Sequence, residues 1–140
     1  MVQDLIWPGA HWLNAGFLRN DWKEPQRPAP FFRREFEWEG GCRAVVSFCG
    51  IGYGELWLNG AKVEDAVLDP PPSHYDRRVG YRDYDITALL RPGKNTFGVT
   101  LGNGLYNPQT RETWHFDKVA WADYPKFLLR LLSDGNLLVA

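Results

Sequence analysis

The run Gly52-Tyr53-Gly54-Glu55-Leu56-Trp57-Leu58-Asn59-Gly60-Ala61-Lys62-Val63 decides the fold class of this sequence. Its middle alternates, with Leu56 and Leu58 on one face and Trp57 on the other, which is typical of a half-buried β-strand. Asn59-Gly60 then supplies the dipeptide that two-residue hairpin turns prefer, because both central residues of such a turn take positive φ. We therefore predict a strand, a tight turn at Asn59-Gly60 and a return strand directly after it.

Similar patterns recur on both sides of this hairpin. Alternating or apolar runs cover Phe32–Trp38, Arg43–Cys49, Tyr81–Tyr84, Asn95–Leu101 and Lys126–Leu132. Residues rich in Gly, Pro, Asn and Asp separate these runs, and the only helical signal is one short turn after Asp85. Many short strands with frequent turn signals and no long amphipathic helix predict an all-β sandwich or jelly roll of antiparallel strands.

The chain divides into an arm and a sandwich. Residues 1–30 are predicted to form an irregular N-terminal arm, since six Pro and Gly residues interrupt any apolar period there, and its Trp residues would pin it to the domain. Residues 31–140 carry the strand patterns and form the β-sandwich domain. The final run, Leu137–Ala140, barely begins a strand, so we expect a domain that is truncated at its C-terminal end and derives from a larger protein.

Composition argues against several classes of partner. The 16 Lys and Arg residues against 17 Asp and Glu give a net charge of -1, without the basic excess that nucleic-acid binders show. No long basic run suits an anionic membrane surface, and no apolar stretch approaches the roughly 20 residues of a membrane span. The first twelve residues lack a signal-peptide pattern. Localisation stays open between the bacterial cytoplasm, the periplasm and secretion.

The two cysteines, Cys42 and Cys49, fall in what reads as one strand. In a straight strand they would lie roughly 23 Å apart, at about 3.3 Å per residue, which is far beyond the reach of a disulfide. We therefore expect two free, mostly buried thiols. Neighbouring His residues at ligand spacing are missing, so a metal site built on these cysteines is not expected.

Four runs carry a resemblance to known families. The run from Gly52 is similar to the "G-x-Y-x-L-x-L/I-N-G-x-x-V" segment of sugar-recognising jelly rolls, including galactose-binding-like modules. Leu68-Asp69-Pro70 with Tyr75–Val79 resembles "L-D-P-x-x-T-x-Y-D-x-R-V", Tyr84–Asn95 resembles "Y-D-V-T-x-L-L-x-x-G-x-N", and Leu101–Tyr106 resembles "L-G-N-G-W-Y". The last three patterns belong to the N-terminal domain of bacterial α-L-rhamnosidases, and the resemblance covers about residues 31–139.

This resemblance implies a galactose-binding-like jelly-roll domain ahead of a catalytic (α/α)6 barrel in the same chain. The parent would be an inverting glycosidase that releases terminal α-L-rhamnose, with an acid and a base roughly 6.5–9.5 Å apart. In the family both carboxylates lie in the barrel, so no catalytic residue carries over to this chain. The first hypothesis is accordingly a non-catalytic accessory domain, mainly structural, that packs beside the barrel and shapes the approach of the substrate.

A second hypothesis is a calcium-assisted carbohydrate-binding module for rhamnose-containing glycans. Aromatic rings can stack on the apolar face of a sugar, and carboxylate and amide oxygens suit calcium. The sugar-binding candidates are Asn59, Asn103, Tyr106, Trp114 and Trp121. The calcium candidates are Asn59, Asp69, Asp76 and Asn103.

Each candidate also has a structural interpretation. Asn59 can act as a turn residue at positive φ, and Asp69 or Asp76 can pair with Arg77 or Arg78 to brace their Pro-rich loop. Leu105 replaces the Trp of the family pattern, which removes one stacking platform.

A small free-standing enzyme is the third hypothesis, and the sequence disfavours it. His74 and His115 have no nucleophile elbow beside them. Asp83 and Asp85 share a face, but one is expected to cap the following turn and the other to be solvated.

Overall fold

Antiparallel strands account for nearly all the regular structure of the protein. The computed structural model describes residues 7–16, 28–108, 115 and 118–140. The strands are β1 (Leu13–Asn14), β2 (Phe31–Trp38), β3 (Ala44–Ile51), β4 (Tyr53–Leu58), β5 (Ala61–Lys62), β6 (Arg82–Asp85), β7 (Gly93–Gly102), β8 (Lys126–Ser133) and β9 (Asn136–Val139). A single turn of 3-10 helix, Thr87–Leu89, joins β6 to β7. Among these residues no helix is long and apolar enough to span a bilayer.

The strands form two sheets. One has the order β1-β8-β3-β6, with β9 also paired to β8, and the other has the order β2-β7-β4-β5. β1 pairs with the first residues of β8 and β9 with its last residues, so both short strands share the edge of β8 that β3 leaves open. Every pairing is antiparallel, which confirms the predicted all-β sandwich.

The main core lies between the two sheets and follows the alternation read from the sequence. The four-stranded sheet contributes Phe36, Trp38, Leu56, Leu58, Phe97, Val99 and Leu101, and the five-stranded sheet contributes Ala44, Val46, Phe48, Phe127, Leu129 and Leu131. Phe36 and Phe97 stack across β2 and β7 with ring centroids 4.7 Å apart. Trp57 lies on the opposite face of β4 from Leu56 and Leu58, as predicted.

The Asn59-Gly60 hairpin is confirmed. Asn59 has φ 52° and Gly60 has φ 87°, the positive values that a two-residue turn of this type requires. β5 returns along β4, with Trp57 opposite Lys62. At the other end of β4, a Cβ on Gly50 would lie 2.6 Å from the Gly54 Cα, so the corner between β3 and β4 admits no side chain there.

A second apolar cluster covers the outer face of the five-stranded sheet. Trp7 and Ala10 from the arm, together with Tyr75 and Tyr106 from two loops, pack over Cys49, Ile51 and Leu128. The arm is less irregular than predicted, because Leu13 and Asn14 pair with Phe127 and Lys126. The five-stranded sheet is therefore buried on both faces at this end.

The cysteine prediction is half right. Both thiols are free, and Cys49 is buried in β3, where burial raises its pKa to about 12. Cys42 is exposed, against expectation. The strand begins only at Ala44, and Cys42 belongs to the preceding turn, where its backbone N–H donates to the Asp134 carboxylate at 3.1 Å.

Candidate functional site at the connection between β7 and β8

Three aromatic rings meet beside the connection between β7 and β8. Tyr75 lies 5.0 Å from Tyr106 and 5.0 Å from Trp121, measured between ring centroids. Tyr106 and Trp121 are nearly parallel at 6.3 Å. The structure thus brings together two of the predicted sugar-binding residues. Tyr75 and Tyr106 are buried, however, and only Trp121 keeps partial exposure, so the rings mainly contact one another.

A lysine and a carboxylate border this aromatic cluster. Lys126 Nζ lies 5.8 Å from the centroid of the Tyr106 ring and donates to Asp123 Oδ2 at 2.6 Å. Burial alone would lower the pKa of Lys126, but the bond to Asp123 and the nearby Tyr106 outweigh it and raise that pKa. Burial raises the pKa of Tyr106, and Lys126 opposes this effect. Lys126 therefore stays protonated and the Tyr106 hydroxyl stays neutral at physiological pH.

Asn103 begins the loop that carries Tyr106. Its side-chain oxygen accepts from the Asn107 amide at 3.0 Å, and its backbone carbonyl accepts from the Asn107 N–H at 3.1 Å. The loop also rests against Gly52, where a Cβ would lie 2.2 Å from the Gly102 carbonyl oxygen. Asn103 thus has a clear structural role in closing this loop on the β3–β4 corner.

The buried side-chain amide of Asn95 holds the side chain of Asn59. Asn59 Nδ2 donates to Asn95 Oδ1 at 2.8 Å, and Asn59 Oδ1 accepts from the Thr96 N–H at 3.0 Å. Asn95 is fully buried and also donates to the carbonyls of Arg91 and Gly93 at 2.7 and 3.0 Å. The two amides therefore tie the β4–β5 hairpin to the start of β7.

The two candidate asparagines lie at opposite ends of β4. Its register pairs Leu58 with Phe97 and Tyr53 with Gly102, so Asn59 follows one end while Asn103 lies near the other. At about 3.4 Å per residue the separation is roughly 20 Å. Calcium binds its oxygen ligands at roughly 2.3–2.6 Å, so these two residues cannot share one ion.

Asp69 and Asp76 belong to the Pro-rich loop before β6. The Asp69 carboxylate accepts two bonds from Arg82, each at 3.0 Å, and these bonds raise the pKa of Arg82. The predicted Asp–Arg brace exists, but its arginine is Arg82 rather than Arg77 or Arg78. Asp76 is exposed. Within the described ranges, no group of three or more His, Cys, Asp or Glu side chains gathers as a metal site would require.

The remaining candidates have separate locations. Trp114 lies outside the described residues, while His74 and His115 are exposed. Asp83 accepts from Ser47 Oγ at 2.5 Å, whereas Asp85 accepts from the Thr87 N–H at 3.1 Å. The bonds from Thr87 lower the pKa of Asp85. The two carboxylates therefore have different partners, which does not suit an acid and base pair.

Two residues that organise these regions were missed by sequence reasoning. Asn95 had a usable signal, because it occupies an inward position in phase with Phe97 and Val99 and is the polar residue of that series. Tyr75 had only its place in the family pattern as a signal, since it stands in a loop without periodicity and is buried through contacts with residues remote in sequence.

The fold and this site define a domain class: a sandwich of two antiparallel sheets whose loops pack onto the outer face of one sheet. Sequence comparison narrows the class. The chain belongs to the α-L-rhamnosidase N-terminal domain family, whose sequence profile matches residues 42–136. This confirms the resemblance read from the four sequence runs.

Individual relatives agree with the family assignment. An α-L-rhamnosidase of Formosa agariphila is 56% identical over 63 residues, which are 45% of this chain and 7% of that protein. The structure of an α-L-rhamnosidase from Aspergillus terreus superposes with a TM-score of 0.78 at 29% identity, covering 94% of this chain and 15% of that one. The structure of an α-L-rhamnosidase from Dictyoglumus thermophilum gives a TM-score of 0.63 at 35% identity, covering 79% and 12%. The chain therefore spans a small part of the length of these relatives.

Proposed function

We propose that this domain is a non-catalytic accessory unit of an inverting α-L-rhamnosidase. It packs beside a catalytic (α/α)6 barrel of the same chain and helps to shape the approach of the substrate. One observation carries the proposal: three of the five candidate sugar-binding residues are used in internal contacts. Tyr106 is buried, and the side chains of Asn59 and Asn103 both bond to other residues of the domain.

Exposed apolar side chains support a role in domain packing. Val67 and Leu68 are 72% and 66% exposed on the loop before β6, and Phe31 is 62% exposed at the start of β2. Leu68 also holds φ 54°, a conformation that costs free energy for a branched side chain. Apolar groups displayed in this way suit contact with a neighbouring domain better than contact with water.

Hydrolysis of a nitrophenyl α-L-rhamnoside tests the non-catalytic role. The 140-residue chain is expected to release no nitrophenol above the buffer rate, because the family resemblance places the acid and the base in the barrel and because Asp83 and Asp85 have separate partners here. The matched control is the longer parent protein, which is expected to hydrolyse the same substrate. Turnover by the 140-residue chain alone would contradict the proposal.

Calorimetric titration with L-rhamnose, with and without calcium, tests the alternative of a carbohydrate-binding module. The accessory role predicts no binding heat at millimolar sugar in either condition. Binding that a chelator abolishes would favour the calcium-assisted module. In that case Asp69→Asn would weaken binding, whereas Asp65→Asn, a change of an exposed carboxylate four residues earlier, would leave it intact.

A further inference from the structure

A cavity of about 250 Å³ opens between the two sheets at the edge where β2 faces β1 and β9. Besides Leu13 and Ala140, its apolar lining consists of Phe32, Phe97, Val99, Phe127, Leu129 and Val139. These side chains belong to the main core or pack against it, so the cavity is an extension of the core that reaches the surface. Dry cavities of roughly 150 Å³ with such walls can hold benzene.

The ionisable side chains at the cavity are all basic. His11, Arg33 and Arg34 line it, and no Asp or Glu does. Arg34 lies between Phe32 and Phe36 on the inward-facing series of β2, where an apolar residue would be expected. Its Nη1 donates to the Ala140 carbonyl oxygen at 3.0 Å, the one hydrogen bond that the described residues give this guanidinium. Arg33 instead pairs with Glu35 on the opposite face of the strand.

We propose that this cavity binds a small amphipathic carboxylate. The apolar body of the ligand occupies the space between the sheets, and its carboxylate accepts hydrogen bonds from Arg34 at the mouth. Ligand sites commonly combine apolar walls with a few polar groups that fix orientation. A guanidinium also presents paired donors that match a carboxylate. The Ala140 carbonyl already shows that an oxygen acceptor can reach Arg34 at this position.

The size of the cavity limits the ligand to a ring or short alkyl chain with a short acidic arm. We therefore choose 3-phenylpropanoate as the probe and 3-phenylpropan-1-ol as its uncharged counterpart. The readout is the NMR shift of the Val99, Leu129 and Val139 methyl groups during titration of the 140-residue chain with an amidated C-terminus, because a free Ala140 carboxylate would itself compete for Arg34. The acid is expected to bind with a Kd on the order of 1 mM, and the alcohol about tenfold more weakly because it lacks the charged hydrogen bond.

Two arginines provide a matched pair of variants. Arg34→Gln is expected to weaken binding of the acid about tenfold and to leave binding of the alcohol unchanged. Arg43→Gln, an identical change at an exposed arginine outside the cavity lining, is expected to alter neither. Val139→Phe fills the cavity from the edge strand β9 and should abolish binding of both probes. Leu13→Trp narrows the cavity from an exposed position on β1, so it serves if Val139→Phe does not fold.

Several results would overturn the proposal. Absence of methyl shifts in the folded protein at high probe concentration would show that no such site exists. Equal losses with Arg43→Gln and Arg34→Gln would reduce the effect to general surface charge. If the chain forms a dimer at higher concentration and the same methyl signals shift with it, a second copy of the chain, and not a small ligand, occupies the cavity. None of these results affects the rhamnoside hydrolysis or the rhamnose titration, so the accessory role is tested independently of this cavity.

Discussion

At the scale of single residues, Asn95 is a fully buried polar side chain with four hydrogen bonds. Its buried amide forms hydrogen bonds with Asn59, Arg91 and Gly93. Asn95→Ala leaves several of these groups without partners in the core and is expected to lower the free energy of unfolding by about 3 kcal/mol. Urea denaturation measures the change. Asn136→Ala, an exposed position on β9, should cost under about 0.5 kcal/mol. Equal costs would show that burial does not set the importance of Asn95.

The two thiols are expected to differ sharply in reactivity. Cys42 is exposed, whereas Cys49 is buried with a pKa of about 12, so its reactive thiolate is scarce at neutral pH. Iodoacetamide at pH 8 should label Cys42 alone in the native protein and both residues in denaturant. Peptide mass mapping reads the result, with Cys42→Ser as the control that should stay unlabelled while folded. Prompt labelling of native Cys49 would contradict the described packing of β3.

At the scale of elements, the turn of the β4–β5 hairpin depends on the backbone conformation of Gly60. Gly60 has φ 87°, and a Cβ there would meet no atom within 4 Å. Gly60→Ala therefore tests conformation alone and is expected to cost about 1–2 kcal/mol in thermal or urea unfolding. At Gly80, where φ is not in the positive region and a Cβ would make an ordinary 3.6 Å contact, the same substitution should be nearly neutral. A neutral Gly60→Ala would show that another turn type is tolerated.

Strands that follow from a pattern in their own sequence were predictable, and strands that depend on pairing with a distant segment were not. β2, β4 and β7 alternate along the chain, and their inward faces were predictable from the positions of apolar residues. β1 was not, because two residues carry no period, and the open edge of β8 imposes their pairing. The four runs that carry the family resemblance were recognisable for the same reason, because each is a short stretch of local sequence with a turn at a fixed position.

The candidate site was only partly predictable. Tyr106 and Trp121 were singled out and do lie together, but Tyr75, which contacts both, was not. Burial of these rings results from two separate connections, the loop before β6 and the one between β7 and β8, meeting on one sheet face, and no local sequence pattern predicts such a contact. The asparagines were recognised as turn residues or ligands, and their internal partners became visible only with the register of β4 and β7.

At the scale of the whole molecule, Trp7 fixes the N-terminal arm to the sandwich. Its buried ring lies 5.1 Å from the Tyr81 ring and 5.3 Å from the Arg130 guanidinium. Trp7→Ala is expected to cost about 3 kcal/mol, since it removes a buried aromatic residue and both contacts. Differential scanning calorimetry would register a lower Tm. His11→Ala, an exposed change on the same arm, should leave the Tm almost unchanged, and similar Tm values for both variants would mean that the arm does not stabilise the domain.

The charged residues of β2 have a further consequence for self-association. Among the described residues no strand pairs with the outer edge of β2, which leaves a row of backbone groups able to join another sheet. Such edges can seed amyloid-like growth, and proteins guard them with charged side chains, including charges that point inward. Arg33, Glu35 and Glu37 line one face of the strand, and Arg34 points inward on the other. β2 is therefore a poor template for a second copy of itself, and this protects the sandwich from growing into a fibril at high concentration.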